Sequence, residues 1–81
     1  MGNDARGRLR WRCRRGMKEL DLLLVRWLDR RWPAADAGRQ QAFQALLEET
    51  DPQLADWLIG GKRPADAQLS ALIDDIVCTA Y

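Results

Sequence analysis

The chain has 81 residues, of which 47% are apolar, and its 13 basic and 12 acidic side chains give a formal net charge of +1. The apolar fraction excludes an intrinsically disordered chain. A chain of this length buries only about 60% of the surface that its unfolded form exposes, which argues against a deep, enclosed active site. We therefore expect a single domain over residues 1–81, with an ordered core at about 6–79.

Histidine is missing from the sequence, and the two cysteines are Cys13 and Cys78. Because histidine is the commonest general base and the commonest zinc ligand, we expect neither a metal site nor an enzyme. Two cysteines are few for a disulfide scaffold of this size. We expect both to be small buried apolar side chains, with a bridge between them as the alternative.

The longest uninterrupted apolar run covers only residues 22–25, whereas a membrane-spanning helix needs about 20 residues. The N-terminus has no apolar segment of the kind found in secretory signals, and the pattern of a folded domain begins almost at once. These features predict a cytoplasmic protein that does not insert into membranes.

The charges are unevenly distributed along the chain. Residues 1–18 carry seven basic side chains and one acid, while residues 48–81 carry seven acids and two basic side chains. Two explanations stay open: the two ends meet and neutralise each other, or the basic end faces an acidic partner.

The first predicted element covers residues 6–15. Leu9, Trp11 and Cys13 alternate with arginines, which is a strand pattern. Yet Leu9 and Cys13 are also one helical turn apart, and no second strand is available to satisfy a lone strand's backbone groups. A helix is favoured.

The second predicted helix, at about 17–32, begins at Gly16 as N-cap with Glu19 in its first turn, and Pro33 ends it. Its apolar stripe is expected to contain Met17, Leu20, Leu24, Trp27 and Leu28. Further apolar residues at 22, 23 and 25 make it apolar around much of its circumference, so it should be the central helix of a bundle.

Three more helices are predicted after it. The third, at about 36–49, is followed by Asp51 as N-cap and Pro52 as first residue of a fourth, short helix that contains Trp57 as a core residue. A fifth is predicted at about 65–79, and no hairpin signal occurs. The sequence therefore predicts an all-α bundle of about five short helices.

The stretch R-R-G-M-K-E-L-D at residues 14–21 is unusual, because it places two arginines, a glycine and two carboxylates at one helix junction. Glycine allows another backbone to approach closely, and arginine offers bidentate hydrogen bonds to carboxylates or carbonyls. The residues alone leave two interpretations open, a recognition patch or a structural corner.

The runs RLRWRCRRGMKELD, DPQLADWL and RPADAQL occur in one collinear order over residues 8–76. In these runs the chain resembles the succinate dehydrogenase flavinylation factors, small helical proteins with an R-G-x-x-E motif. The resemblance implies a five-helix bundle that binds the flavoprotein subunit of succinate dehydrogenase, and of the related fumarate reductase, and promotes covalent attachment of FAD. The FAD and the histidine that bonds to it would belong to the flavoprotein. The factor itself would bind no cofactor stably.

Carried over residue by residue, the motif falls on Arg15, Gly16 and Glu19. The resemblance implies that Gly16 is the point of closest approach and that Arg15 and Glu19 make polar contacts with the flavoprotein. Arg8 and Trp11 match family positions on the same basic, aromatic segment.

Each of these residues also has a structural interpretation: an ion pair between Arg15 and Glu19, a plain turn at Gly16, or an arginine stacked on Trp11. Two other functional classes stay open. One is an antitoxin-like or regulatory interaction protein. The other is a nucleic-acid-binding protein, suggested by six arginines within residues 6–15 beside Trp11, although the near-neutral net charge argues against nucleic acid. We expect a monomer.

Overall fold

The computed structural model describes residues 3–80 of the chain, and side chains from residue 7 to residue 79. Its elements, in chain order, are α1 (Asn3–Arg12), α2 (Lys18–Arg30), a short 3-10 helix (Trp32–Ala34), α3 (Ala37–Leu46), α4 (Asp51–Leu58) and α5 (Ala67–Ala80). No strand occurs within residues 3–80. The predicted all-α bundle of five helices is confirmed. The predicted single domain over residues 1–81 stays a prediction, and residues 1, 2 and 81 lie outside the described part.

Helix α2 lies at the centre of the bundle, since it contacts α1, α4, α5 and the 3-10 helix. Its inner face buries Leu20, Leu23, Leu24, Trp27 and Leu28. The Trp27 ring stacks on Phe43 at 4.6 Å between centroids, and Trp32 meets it edge-on at 6.3 Å. The predicted central helix is confirmed, and an aromatic cluster ties it to α3.

Two apolar residues are less buried than predicted: Met17 is exposed, and Trp57 is only partly buried against the core. Leu22, which is not part of the predicted stripe, is exposed as well. Met17 precedes the first turn of α2 as its N-cap residue, so its side chain does not share the buried stripe. Leu22 points outward from α2, away from the face that buries Leu20 and Leu23.

Several helix boundaries differ from the predicted ones, and the N-cap of α2 is Met17 rather than the predicted Gly16. Helix α2 ends at Arg30, before the predicted end at residue 32, and Pro33 lies in the first turn of the 3-10 helix. The N-cap of α4 is Thr50, whose hydroxyl accepts a hydrogen bond from the Gln53 amide, and Asp51 lies inside the first turn. In both places the proline occupies a position where its missing N–H leaves no bond unmade.

The two cysteines have different environments. Cys13 is fully buried, whereas Cys78 is exposed, and both are free thiols. The predicted burial is right for Cys13 and wrong for Cys78, and the alternative disulfide does not form. Cys78 lies on the side of α5 opposite Leu72 and Ile76, since a residue two positions beyond Ile76 points away from the face that Ile76 buries.

The basic and acidic parts of the chain meet in space. Arg12 forms an ion pair with Glu48, and Arg15 lies 3.7 Å from Asp51. The first explanation of the charge asymmetry therefore holds at the end of α1, while Arg8, Arg14 and Lys18 stay exposed. Among the helices described, none is long and apolar enough to cross a membrane.

Candidate functional site

The junction between α1 and α2, residues 13–17, is a tight corner. The Cys13 amide still bonds to the Leu9 carbonyl at 3.0 Å, and the Arg14 amide bonds to the Trp11 carbonyl at 3.2 Å. At Gly16 the backbone turns into the left-handed region, with φ of +82°, and α2 starts at Lys18. The corner is therefore built by helical hydrogen bonds on one side and a glycine conformation on the other.

Gly16 is exposed, and a Cβ placed on it would have no atom of the chain within 4 Å. Nothing inside the bundle crowds this position. Glycine is favoured here because L side chains rarely adopt such a φ. Gly61 has the same properties, with φ of +80° and open space around it.

The Arg15 side chain turns away from solvent, towards the segment that connects α3 to α4. Its Nη2 donates to the Leu47 carbonyl, its Nη1 donates to the Glu49 carbonyl at 3.5 Å, and Asp51 Oδ1 lies 3.7 Å away. The carbonyls at the end of α3 carry the negative end of its dipole, which favours a cation there. Only 17% of the Arg15 side chain remains exposed.

The backbone of Arg15 is held from a different direction. Its amide donates to Asp21 Oδ1 at 2.6 Å, so a carboxylate in α2 reaches back six residues to the junction. The sequence pattern assigns no role to Asp21 or to the α3–α4 connection. An acid in the first turns of a helix is too common to indicate such a contact.

Glu19 lies in the first turn of α2 and is exposed. The alternative ion pair between Arg15 and Glu19 does not form between these two described side chains, because Arg15 points to the α3–α4 connection instead. The Glu19 side chain is therefore exposed in the first turn of α2.

Trp11 and Arg8 lie on neighbouring flanks of α1. Trp11 is 70% exposed, and the Arg14 guanidinium sits over its ring at 5.4 Å from the centroid. The structural alternative for Trp11, an arginine stacked on its ring, is present, and a contact of Trp11 with a partner stays a prediction. Arg8 is exposed and lines a surface groove with Trp32 and Gln44, on the side of α1 that faces α3.

Five residues at and beside the junction are exposed: Trp11, Arg14, Gly16, Met17 and Glu19. They are a candidate docking surface, and we call them the docking surface below. Arg15, which the sequence groups with them, has its guanidinium directed into the bundle. Arg8 borders the docking surface from the next flank of α1.

Cys13 is the first residue of the junction, and its side chain is buried beneath it. Burial raises the pKa of its thiol from about 9 to about 12, and the nearby Arg15 guanidinium opposes part of that rise. The thiol is therefore protonated at neutral pH and is a poor nucleophile. Among the residues that the structure describes, no group of three or more His, Cys, Asp or Glu side chains is arranged to hold a metal ion.

Fold and site together define a small helical domain whose distinctive feature is an exposed, charged and aromatic corner. A family model described as "flavinator of succinate dehydrogenase" matches residues 7–79. The FAD assembly factor SdhE of Coxiella burnetii is 38% identical over 69 residues, which are 85% of this chain and 84% of that relative. The protein of the same name from Vibrio cholerae is 36% identical over 74 residues, 91% of this chain and 86% of its own length. The chain therefore belongs to the family of flavinators of succinate dehydrogenase.

Proposed function

We propose that this chain promotes covalent attachment of FAD to the flavoprotein subunit of succinate dehydrogenase, and that it does so by binding that subunit through the docking surface. The family description and the names of the relatives support the reaction. The observation on this chain that supports the mode of binding is Gly16. It is exposed, has open space where a side chain would stand, and precedes the exposed Glu19 by three residues.

The contribution of the chain is to position its partner. The resemblance implies that the histidine bonded to FAD, and the FAD itself, belong to the flavoprotein, and a chain without histidine agrees with that. The chain is not an enzyme in this proposal and holds no cofactor of its own. Holding two reacting groups in the correct geometry accelerates a reaction without any new chemical group.

The docking surface also predicts the kind of surface that it meets. Arg14 of the docking surface and Lys18, which lies between Met17 and Glu19 in the chain, are exposed cations. Glu19 is an exposed anion, and Trp11 and Met17 offer apolar area. A complementary flavoprotein surface would present carboxylates to the two cations, a basic side chain to Glu19 and an apolar patch to Trp11. Fumarate reductase, the related enzyme, is proposed as a second target, and the chain is proposed to act as a monomer.

The test is in-gel flavin fluorescence of the succinate dehydrogenase flavoprotein, produced in cells that lack their own flavinylation factor, with and without this chain. Covalently bound flavin stays with the denatured flavoprotein band, so its fluorescence reports attachment directly. We expect strong fluorescence only when the chain is present. Equal fluorescence in both samples, at equal amounts of flavoprotein, would overturn the proposed function.

A further inference from the structure

The backbone amide and the side chain of Arg15 are hydrogen-bonded to different parts of the fold. Its amide is bonded to Asp21 of α2 at 2.6 Å, and its guanidinium is bonded to the carbonyls of Leu47 and Glu49 beyond the end of α3. No other position in the junction joins two separate elements in this way among the described residues. The residue that immediately precedes Gly16 is therefore fixed in direction as well as in place.

The fixed direction of Arg15 matters because the next residue in the chain is a glycine. Glycine populates left-handed and right-handed backbone conformations about equally well, so Gly16 by itself does not select its φ of +82°. A change at Gly16 would redirect Glu19 relative to Trp11 on the other side of the junction. If only a fraction of the molecules has the docking conformation, the apparent affinity for the partner falls by that fraction.

We propose that Asp21 is a positioning residue for the docking surface, and that it acts through Arg15. Its carboxylate holds the Arg15 amide so that Gly16 and Glu19 are presented in one arrangement, while the Arg15 guanidinium anchors the same residue to the α3–α4 connection. Asp21 lies outside the R-G-x-x-E motif and is only partly exposed. The inference rests on the proposed function, since the arrangement is defined by its use in binding the flavoprotein.

If Asp21 only stabilised the fold, the expected effect of its removal on binding would be different. In that case removal of Asp21 would weaken binding only as far as it unfolds the chain. The fold offers a matched control in Asp36, whose Oδ1 accepts a hydrogen bond from the Arg39 amide at 2.7 Å at the start of α3. Asp21→Ala and Asp36→Ala each remove one bond between a carboxylate and a backbone amide, and Asp36 is not part of the docking surface.

The experiment measures the affinity of full-length variants for the isolated flavoprotein subunit by calorimetry, at a temperature where circular dichroism shows each variant to be folded. We expect Asp21→Ala to raise the Kd by about tenfold or more, and Asp36→Ala to leave it within about twofold. Asp21→Asn keeps an oxygen that can accept the Arg15 amide, and it should bind within about threefold of the unmodified chain. Amide hydrogen exchange at Arg15 should accelerate in Asp21→Ala and not in Asp36→Ala.

Several outcomes would overturn the inference. They are unchanged affinity in Asp21→Ala, an equal loss in Asp36→Ala, or a loss in Asp21→Asn as large as in Asp21→Ala. If Asp21→Ala does not fold, Asp21→Ser replaces it, and its loss of affinity is expected in the same direction. Failure of the unmodified chain to bind the flavoprotein is a separate result, which overturns the proposed function, whereas a faster Arg15 exchange in Asp21→Ala would still establish the local contact.

Discussion

The Arg15 guanidinium donates a hydrogen bond to the carbonyl oxygen of Leu47, so the junction between α1 and α2 is attached to the end of α3. These two residues are 32 positions apart in the chain. The bond is charge-assisted and largely shielded from solvent, which makes it stronger than an ordinary surface hydrogen bond. Arg15 is therefore part of the architecture of the bundle, and the polar contact with the flavoprotein that the resemblance implies for it stays a prediction.

Alanine substitutions at Arg15 and Glu19 should have different effects on stability and on binding. Arg15→Ala removes hydrogen bonds from a charged, mostly buried donor and should lower the free energy of unfolding by about 1.5–3 kcal/mol. Glu19→Ala removes an exposed side chain and should change it by less than about 0.5 kcal/mol, yet weaken flavoprotein binding. Urea denaturation and calorimetric titration of both variants check this. A loss of stability in Glu19→Ala as large as in Arg15→Ala would assign Glu19 to the fold instead of the docking surface.

Gly16 and Gly61 allow the effect of a bulky side chain to be separated from backbone strain. Both have φ near +80° and open space around them, so Gly16→Arg and Gly61→Arg should each cost about 1–2 kcal/mol of stability through the left-handed conformation and still fold. Only Gly16→Arg places a side chain on the docking surface, and only that variant should abolish support of FAD attachment. In-gel flavin fluorescence measures the difference. Attachment at the unmodified rate with Gly16→Arg would mean that the flavoprotein does not approach this position.

Alanine substitution of Trp11 should weaken binding, whereas alanine substitution of Trp27 should lower stability. Trp11→Ala removes a ring that is 70% exposed, so we expect less than about 0.5 kcal/mol change in stability together with weaker flavoprotein binding. Trp27→Ala empties the centre of the core and leaves Asp75 without the indole N–H that donates to it at 2.7 Å, which should cost about 3–5 kcal/mol. Thermal unfolding of both variants is the measurement. A Tm loss in Trp11→Ala comparable to that in Trp27→Ala would contradict an exposed role for Trp11.

The two thiols should differ in reactivity. Cys78 is exposed and Cys13 is fully buried with a raised pKa, so a disulfide reagent should label one thiol per native chain at neutral pH. Cys78→Ser should abolish the rapid labelling, whereas Cys13→Ala should preserve it. Both thiols should react after denaturation. Rapid labelling of native Cys78→Ser would show that the region beneath the junction opens readily.

Alkaline pH should destabilise the fold through Cys13. Burial raises the pKa of this thiol in the folded chain to about 12, against 9 as its ordinary value. From pH 9 upwards the unfolded chain loses this proton while the folded chain keeps it until about pH 12, so deprotonation favours the unfolded state. The stability that is present below pH 9 should then fall by up to about 1.4 kcal/mol per pH unit. Urea denaturation at pH 8 and pH 10 should show a smaller fall in Cys13→Ala than in Cys78→Ser.

The sequence by itself determined the helices. Glycines and prolines divide the chain into five segments, and the apolar residues within each segment repeat at helical spacing, so fold class and the central position of α2 follow from local patterns. The ability of residue 16 to adopt a positive φ also has a local cause, because residue 16 is a glycine. Trp27 and Cys13 are buried as their spacing predicts, because a stripe of apolar residues on one helix face has to be removed from water.

The tertiary structure decided where individual side chains go once the helices pack. Cys78 and Met17 are as apolar as their buried neighbours, yet both are exposed in the described part of the bundle. The direction of the Arg15 side chain depends on contacts with both α2 and the α3–α4 connection. No local sequence pattern predicts that these two segments lie next to each other at the junction. Helical periodicity is a property of residues three or four positions apart, whereas the contacts that shape the docking surface join residues up to 34 positions apart.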